Sequence, residues 1–184
     1  MRRFLGSLLS ILVITLMVNN DATAADPENM IYLELKTGRV VIETRPDIAP
    51  KHVARIKELA REGFYDGLKF HRVINGFMAQ TGDPKGNGTG GSGQNIAAEF
   101  TDFEGFHRGT VGMARAQSPN SADSQFFIMF DRSEFLDGKY TIWGEVTEGM
   151  EHVDAIKKGS DARNGEVDDP DTIISMKVAA DVKL

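Results

Sequence analysis

Cysteine is missing from the whole 184-residue chain. Its absence excludes disulfides, a thiolate nucleophile and the lipid-accepting cysteine of a lipoprotein. Serine is present, but none stands in a G-x-S-x-G elbow, so a hydrolase of that kind has no nucleophile. The four histidines, His52, His71, His107 and His152, form no H-x-x-x-H or H-E-x-x-H pair. No metal site is therefore expected. A Walker loop is absent too, because Gly138-Lys139 is followed by Tyr140 and Ser133 stands where its first glycine belongs. Basic residues form no stripe, and the net charge of −6 argues against a nucleic-acid partner. There is no heptad pattern to suggest self-association, so a monomer is expected. What is left is chemistry that needs neither nucleophile nor cofactor.

The longest apolar run, residues 4–18, is shorter than the ~20 residues that a membrane-spanning helix needs. Arg2 and Arg3 precede it and Ala22-Thr23-Ala24 follow it, the order of a secretory leader with a small-residue cleavage site. The expectation is a signal peptide over 1–24, a single mature domain over 25–184, a periplasmic location and no stable membrane insertion after cleavage. Removing Arg2, Arg3 and Asp21 from 21 basic and 27 acidic residues leaves 19 and 26, a net of −7. A chain of 160 residues suits one core.

Ile31-Tyr32-Leu33-Glu34-Leu35 and Val40-Val41-Ile42-Glu43-Thr44 flank a turn and predict an opening hairpin. Pro50 can start a helix, Val53, Ile56, Leu59 and Ala60 recur along one face of it, and Gly63 stops it. Residues 85–93 are glycine-rich and fit G-x-G-x-x-G in two overlapping registers, without the strand and helix that would make this a dinucleotide site. Further strands are predicted over 95–100, 110–115, 125–130, 141–146 and 172–182, and a second helix over 150–158. The acidic run 166–171 reads as a solvated loop. Repeated short strands with two isolated helices point to a mainly β fold with a closed antiparallel sheet.

Two stretches concentrate groups able to hold a ligand. In the first, Phe70-His71-Arg72-Val73-Ile74 and Phe77-Met78-Ala79-Gln80 form the arms of a hairpin around Asn75-Gly76, with Arg72 facing away from His71 and Val73. In the second, Ser124-Gln125-Phe126-Phe127-Ile128-Met129-Phe130, alternation sets Gln125, Phe127 and Met129 against Phe126, Ile128 and Phe130. One face can pack the core while the other joins the hairpin.

These stretches, with Asn87-Gly88-Thr89-Gly90-Gly91, Met113-Ala114 and Phe135-Leu136-Asp137-Gly138-Lys139, follow the order and spacing of the cyclophilins. The chain resembles a bacterial, exported cyclophilin-type peptidyl-prolyl cis-trans isomerase from about Met30 onward. The resemblance implies a closed eight-stranded barrel capped by two α-helices, packed inside, with its site on the outer face. It also implies Arg72 and Gln80 as catalytic residues. Phe77, Met78, Gly88, Ala114, Arg115, Ala116, Gln125, Phe127, Phe135, Leu136 and Tyr140 are then substrate-binding, and the partners are proline-containing unfolded or flexible polypeptides. Phe135, Tyr140 and Arg115 stand where eukaryotic relatives carry tryptophan, histidine and asparagine, and Asn75 replaces the usual proline. Weak cyclosporin binding is expected from the first of these. Two other readings compete: a noncatalytic proline-peptide module or holdase using the same groove, which would bind peptides without speeding their exchange, and a hollow ligand-carrying barrel.

Overall fold

The computed structural model describes residues 26–183, so the expected leader and its cleavage site lie outside the described residues. Apolar residues at alternate positions build the first hairpin, β1 (Met30–Leu35) and β2 (Gly38–Thr44), with Ile31, Leu33 and Leu35 of β1 turned inward. Next comes helix α1 (Pro50–Arg61), which buries His52, Val53, Ile56, Leu59 and Ala60 along one face. Pro50 opens the helix, yet no neighbouring side chain caps it. The cap arrives from far along the chain: the Glu99 carboxylate accepts the N–H groups of Lys51 and His52 and lies 2.7 Å from His52 Nδ1.

The chain continues through β3 (Arg72–Ile74), β4 (Met78–Thr81), β5 (Thr110–Met113), β6 (Phe126–Met129), β7 (Ile142–Glu148), α2 (Met150–Asp154) and β8 (Ser175–Val178). All eight strands join one antiparallel sheet in the order β3-β4-β6-β5-β7-β2-β1-β8. It is an open half-barrel rather than the closed barrel expected. No ladder links the two edge strands among the described residues. Instead the segment before β8 lies along β3 and takes its free hydrogen-bonding groups: Val73 donates to Gly165 O and accepts from Gly159, and Val167 donates to His71 O. Single bridges at Lys69 with Thr172 and Arg72 with Glu166 complete the junction. The acidic stretch 166–171 is thus tied into the fold through Val167 and Asp171 rather than merely solvated.

Other boundaries also differ from expectation. Residues 95–100 form no strand beyond one bridge between Ile96 and Ala122, because Ala98 and Glu99 donate their N–H groups to the side chains of Asn120 and Thr141. Helix α2 ends at Asp154, leaving Lys157 and Lys158 to donate to nearby carbonyls beyond it. The last strand is only four residues long and passes into a 3-10 turn over Ala179–Asp181. The Asn75-Gly76 turn places only Gly76 at positive φ, and the β3 to β4 register puts Phe77 in the turn rather than on the second arm.

The strand alternation separates two apolar layers. Tyr65, Phe70, Phe126, Ile128 and Trp143 fill the interior, with Phe126 packed edge-on against both Tyr65 and Trp143 at 5.5 Å. Such a filled interior removes the hollow-barrel reading. On the opposite face Met78, Phe106, Phe127, Met129, Leu136 and Ile142 make a smaller cluster. The functional site stands on that second layer.

Candidate active site

Antiparallel register sets Arg72 directly across from Gln80, and Gln80 across from Phe127 on the next strand. A row of side-chain hydrogen bonds follows from that pairing. Arg72 Nη1 donates to Gln80 Oε1 at 3.1 Å, and Gln80 Nε2 donates to Gln125 Oε1 at 3.0 Å. Gln125 Nε2 then reaches the carbonyls of Gly88 and Gly90 at 3.1 and 2.8 Å.

From its other side Arg72 is held by Asn164, with Nε donating to the backbone oxygen and Nη2 to Oδ1, each at 3.0 Å. Asn164 can offer both acceptors because its backbone is left-handed, at φ 53. Three of the five guanidinium donors are used and two remain. Among the described residues no carboxylate forms an ion pair with Arg72. Burial lowers its pKa, partly opposed by Tyr140, but a guanidinium remains cationic at any working pH.

The charge borders a cleft of about 120 Å³ lined by the apolar side chains of Phe77, Met78, Ala114, Phe127 and Leu136 and by Gln80, Arg115 and Tyr140. At ~30 Å³ per water this is room for about four waters, or one small ring. Phe127 forms much of its wall, stacked on Phe106 at 5.6 Å and edge-on to Tyr140 at 5.9 Å. A second, larger cleft of about 440 Å³ continues past Gln80, Ala114 and Arg115 toward Gly88, Ala116 and Gln125. The two clefts share those first three residues, so together they form one groove.

The glycine-rich loop bordering the larger cleft is shaped by two carboxylates. Asp83 accepts the N–H groups of Lys85, Asn87 and Gly88, while Asp123 accepts those of Ser92 and Gly93. A Cβ at Gly90 would overlap Asp83, and one at Gly91 would overlap Asp123, so close carboxylate approach requires both glycines. Burial tends to raise the Asp83 pKa, but its N–H donors prevail and hold it below the usual carboxylate range.

The groove is assembled, and its likeness to known proteins is broad. The family model for the cyclophilin type peptidyl-prolyl cis-trans isomerases matches residues 30–178. The chain belongs to the cyclophilins. A probable peptidyl-prolyl cis-trans isomerase of Brucella abortus is 60% identical over 174 residues, covering 88% of each chain. A crystal structure of a cyclophilin from Hirschia baltica superimposes with a TM-score of 0.77 at 31% identity, covering 86% of this chain and 77% of that one. A Cryptosporidium parvum cyclophilin-type isomerase, crystallised in the presence of the dipeptide Ala-Pro, gives 0.74 at 27% identity, covering 81% and 98%. This cyclophilin is a peptidyl-prolyl cis-trans isomerase.

Most residues singled out in the sequence meet in the groove of this cyclophilin. Arg72, Gln80, Phe77, Met78, Ala114, Phe127, Leu136 and Tyr140 border the small cleft, while Gly88, Ala116 and Gln125 border the large one. Two others, Phe135 and Arg115, are held differently from the rest. Phe135 is 62% exposed and packs beside Phe77 at a ring distance of 5.5 Å, a rim position outside the cleft lining. Arg115 borders both clefts, but its guanidinium is engaged with backbone carbonyls. Asn164, Asp83 and Asp123 were not among the expected site residues. The one hint at Asn164 is its Asn-Gly dipeptide, a turn signal that says nothing of a partner 92 residues away.

Proposed function

We propose that this cyclophilin isomerises X-Pro bonds in exported proteins, binding the proline ring in the small cleft and the preceding residues along the large one. The dipeptide used with the Cryptosporidium relative supports a proline-containing ligand for this groove. Rotation about the imide has a barrier of ~18–20 kcal/mol because the nitrogen lone pair is conjugated. Midway through rotation the lone pair leaves conjugation and becomes basic. A fixed cation that donates to it favours the twisted form over either planar isomer.

The observation that carries this reading is Arg72, fixed at three points by neutral groups with two donors left beside a cleft that Phe77, Met78, Phe127 and Leu136 help to line. Going from about one event per hundred seconds to ~10 per second requires roughly 4 kcal/mol, within reach of two charge-assisted hydrogen bonds at ~1.5–3 kcal/mol each. Gln80 holds the guanidinium and shares the groove with the substrate backbone. Arg72→Ala should lower kcat/KM for a proline peptide by about 100-fold or more, with circular dichroism unchanged. Full activity in that variant would end the assignment.

The leader pattern supports export to the periplasm of a bacterial cell, with folding segments of other exported chains as clients. A working monomer is part of this reading, since the sequence carries no heptad pattern for self-association. Mass spectrometry of the periplasmic product should give the mass of residues 25–184; recovery of the full-length chain in the cytoplasm would contradict this.

A further inference from the structure

Arg115 borders both clefts of the groove, and a free guanidinium there would favour acidic substrates. It is not free. Nε and Nη2 donate to Lys139 O at 3.1 and 2.9 Å, and Nη1 donates to Ala116 O and Gln117 O at 2.9 and 3.1 Å. Only one of its five N–H groups is left over. Its planar head lies 4.5 Å from the centre of the Tyr140 ring on one side and 5.8 Å from that of Phe100. Among the described residues it has no carboxylate partner.

We infer that Arg115 is a positioning residue: it ties the strand exit at Ala116-Gln117 to Lys139 and thereby holds Tyr140 in place as one wall of the proline cleft. The inference rests on the small cleft being the proline site. Its logic is geometric. Past Met113 the ladder of β5 ends, and the chain from Ala116 to Ser121 turns back on itself through Ser121, whose Oγ accepts from Ala116 N and donates to Ser118 O. Lys139 follows a 3-10 turn, in which its N–H is spent on Leu136 O and its carbonyl is taken by Arg115. Two irregular segments therefore meet at one side chain, and Tyr140 sits directly after the anchored carbonyl. A lysine cannot replace the brace, since one ammonium cannot span three carbonyls in a plane and stack on a ring.

A wall touches the proline ring in its planar and twisted forms alike, so loss of the brace weakens binding rather than the chemical step. The experiment compares Arg115→Ala and Arg115→Lys with the parent chain, all labelled with 3-fluorotyrosine, the Tyr140 line being assigned with Tyr140→Phe. Both variants should shift and narrow the Tyr140 fluorine line and raise KM about tenfold, with kcat within about twofold. Neutral and acidic X-Pro peptides should lose affinity by the same factor, at low and high salt. A fluorine line that stays put, an unchanged KM, a loss confined to acidic peptides, or full rescue by lysine would each overturn the proposal. The fluorine line is read without turnover, so failure of the proline-site reading, seen as an Arg72→Ala variant with full activity, is distinguished from failure of the brace.

Discussion

Among the described residues Arg72 carries its charge without a counter-ion, and this decides how much of its field reaches a ligand. A carboxylate partner would have fixed the side chain equally well while neutralising it; Gln80 and Asn164 fix it with neutral oxygens. Asn164 holds two of the three anchor points. Asn164→Ala removes one of them and discourages the left-handed backbone that presents the other. The expected outcome is a fall of about tenfold in kcat/KM, equivalent to ~1.4 kcal/mol, with kcat bearing most of it. Steady-state rates on one peptide would check this, and an unchanged kcat would show that Gln80 alone suffices. Arg72 and Gln80 are legible in the sequence because they lie eight residues apart on one hairpin. Asn164 is not, since its contact depends on where the loop before β8 returns. Arg115 is half legible: its place by the groove is what the family resemblance implies, but the direction of its guanidinium depends on the carbonyl of Lys139.

Strands β5 and β6 show how an element sets the shape of a site that few of its residues touch. Gly112 is opposite Phe127 in the β5 to β6 register, and a Cβ there would sit 2.5 Å from the ring of Phe106 and 2.6 Å from that of Phe127. The bare backbone makes room for the stacked pair. Gly112→Ala should cost about 1–3 kcal/mol through overpacking. Because Phe127 also packs edge-on against Tyr140, a shift of its ring should disturb the cleft and raise KM several-fold; a urea midpoint and KM measured together would test both, and a change in stability alone would free Phe127 from the role. The alternation that divides Phe126 from Phe127 could be read from the residues, since period two needs no tertiary information. Residues 95–100 do not form the expected strand, because side-chain alternation does not reveal whether a backbone finds a strand or, as here, the side chains of Asn120 and Thr141.

At the scale of the molecule, two imidazoles are enclosed, His52 on the buried face of the first helix and His71 beside Arg72. His52 is fully buried against Glu99, with Lys51 nearby, and His71 is 7% exposed between the influences of Asp83 and Arg72. Burial lowers both pKa values, and the favourable carboxylates Glu99 and Asp83 only partly oppose it. In the unfolded chain each titrates near its ordinary value of about 6.5. Below that value the unfolded state binds more protons, so stability is fully present above about 6.5 and falls as pH drops. The urea midpoint should therefore be lower at pH 5 than at pH 7.5, and His71→Gln should narrow the difference; the same difference in that variant would absolve His71.

Strand β1 stands between β2, its immediate successor, and β8, the last strand of the chain. A ribosome delivers these neighbours at opposite ends of synthesis. Until β8 emerges, Ile31 and Leu33 have one flank without a partner, and the backbone beside them remains solvated. Native structure is thus a property of the finished polypeptide, and every copy spends its synthesis as an incomplete chain of the kind other proteins are built to assist.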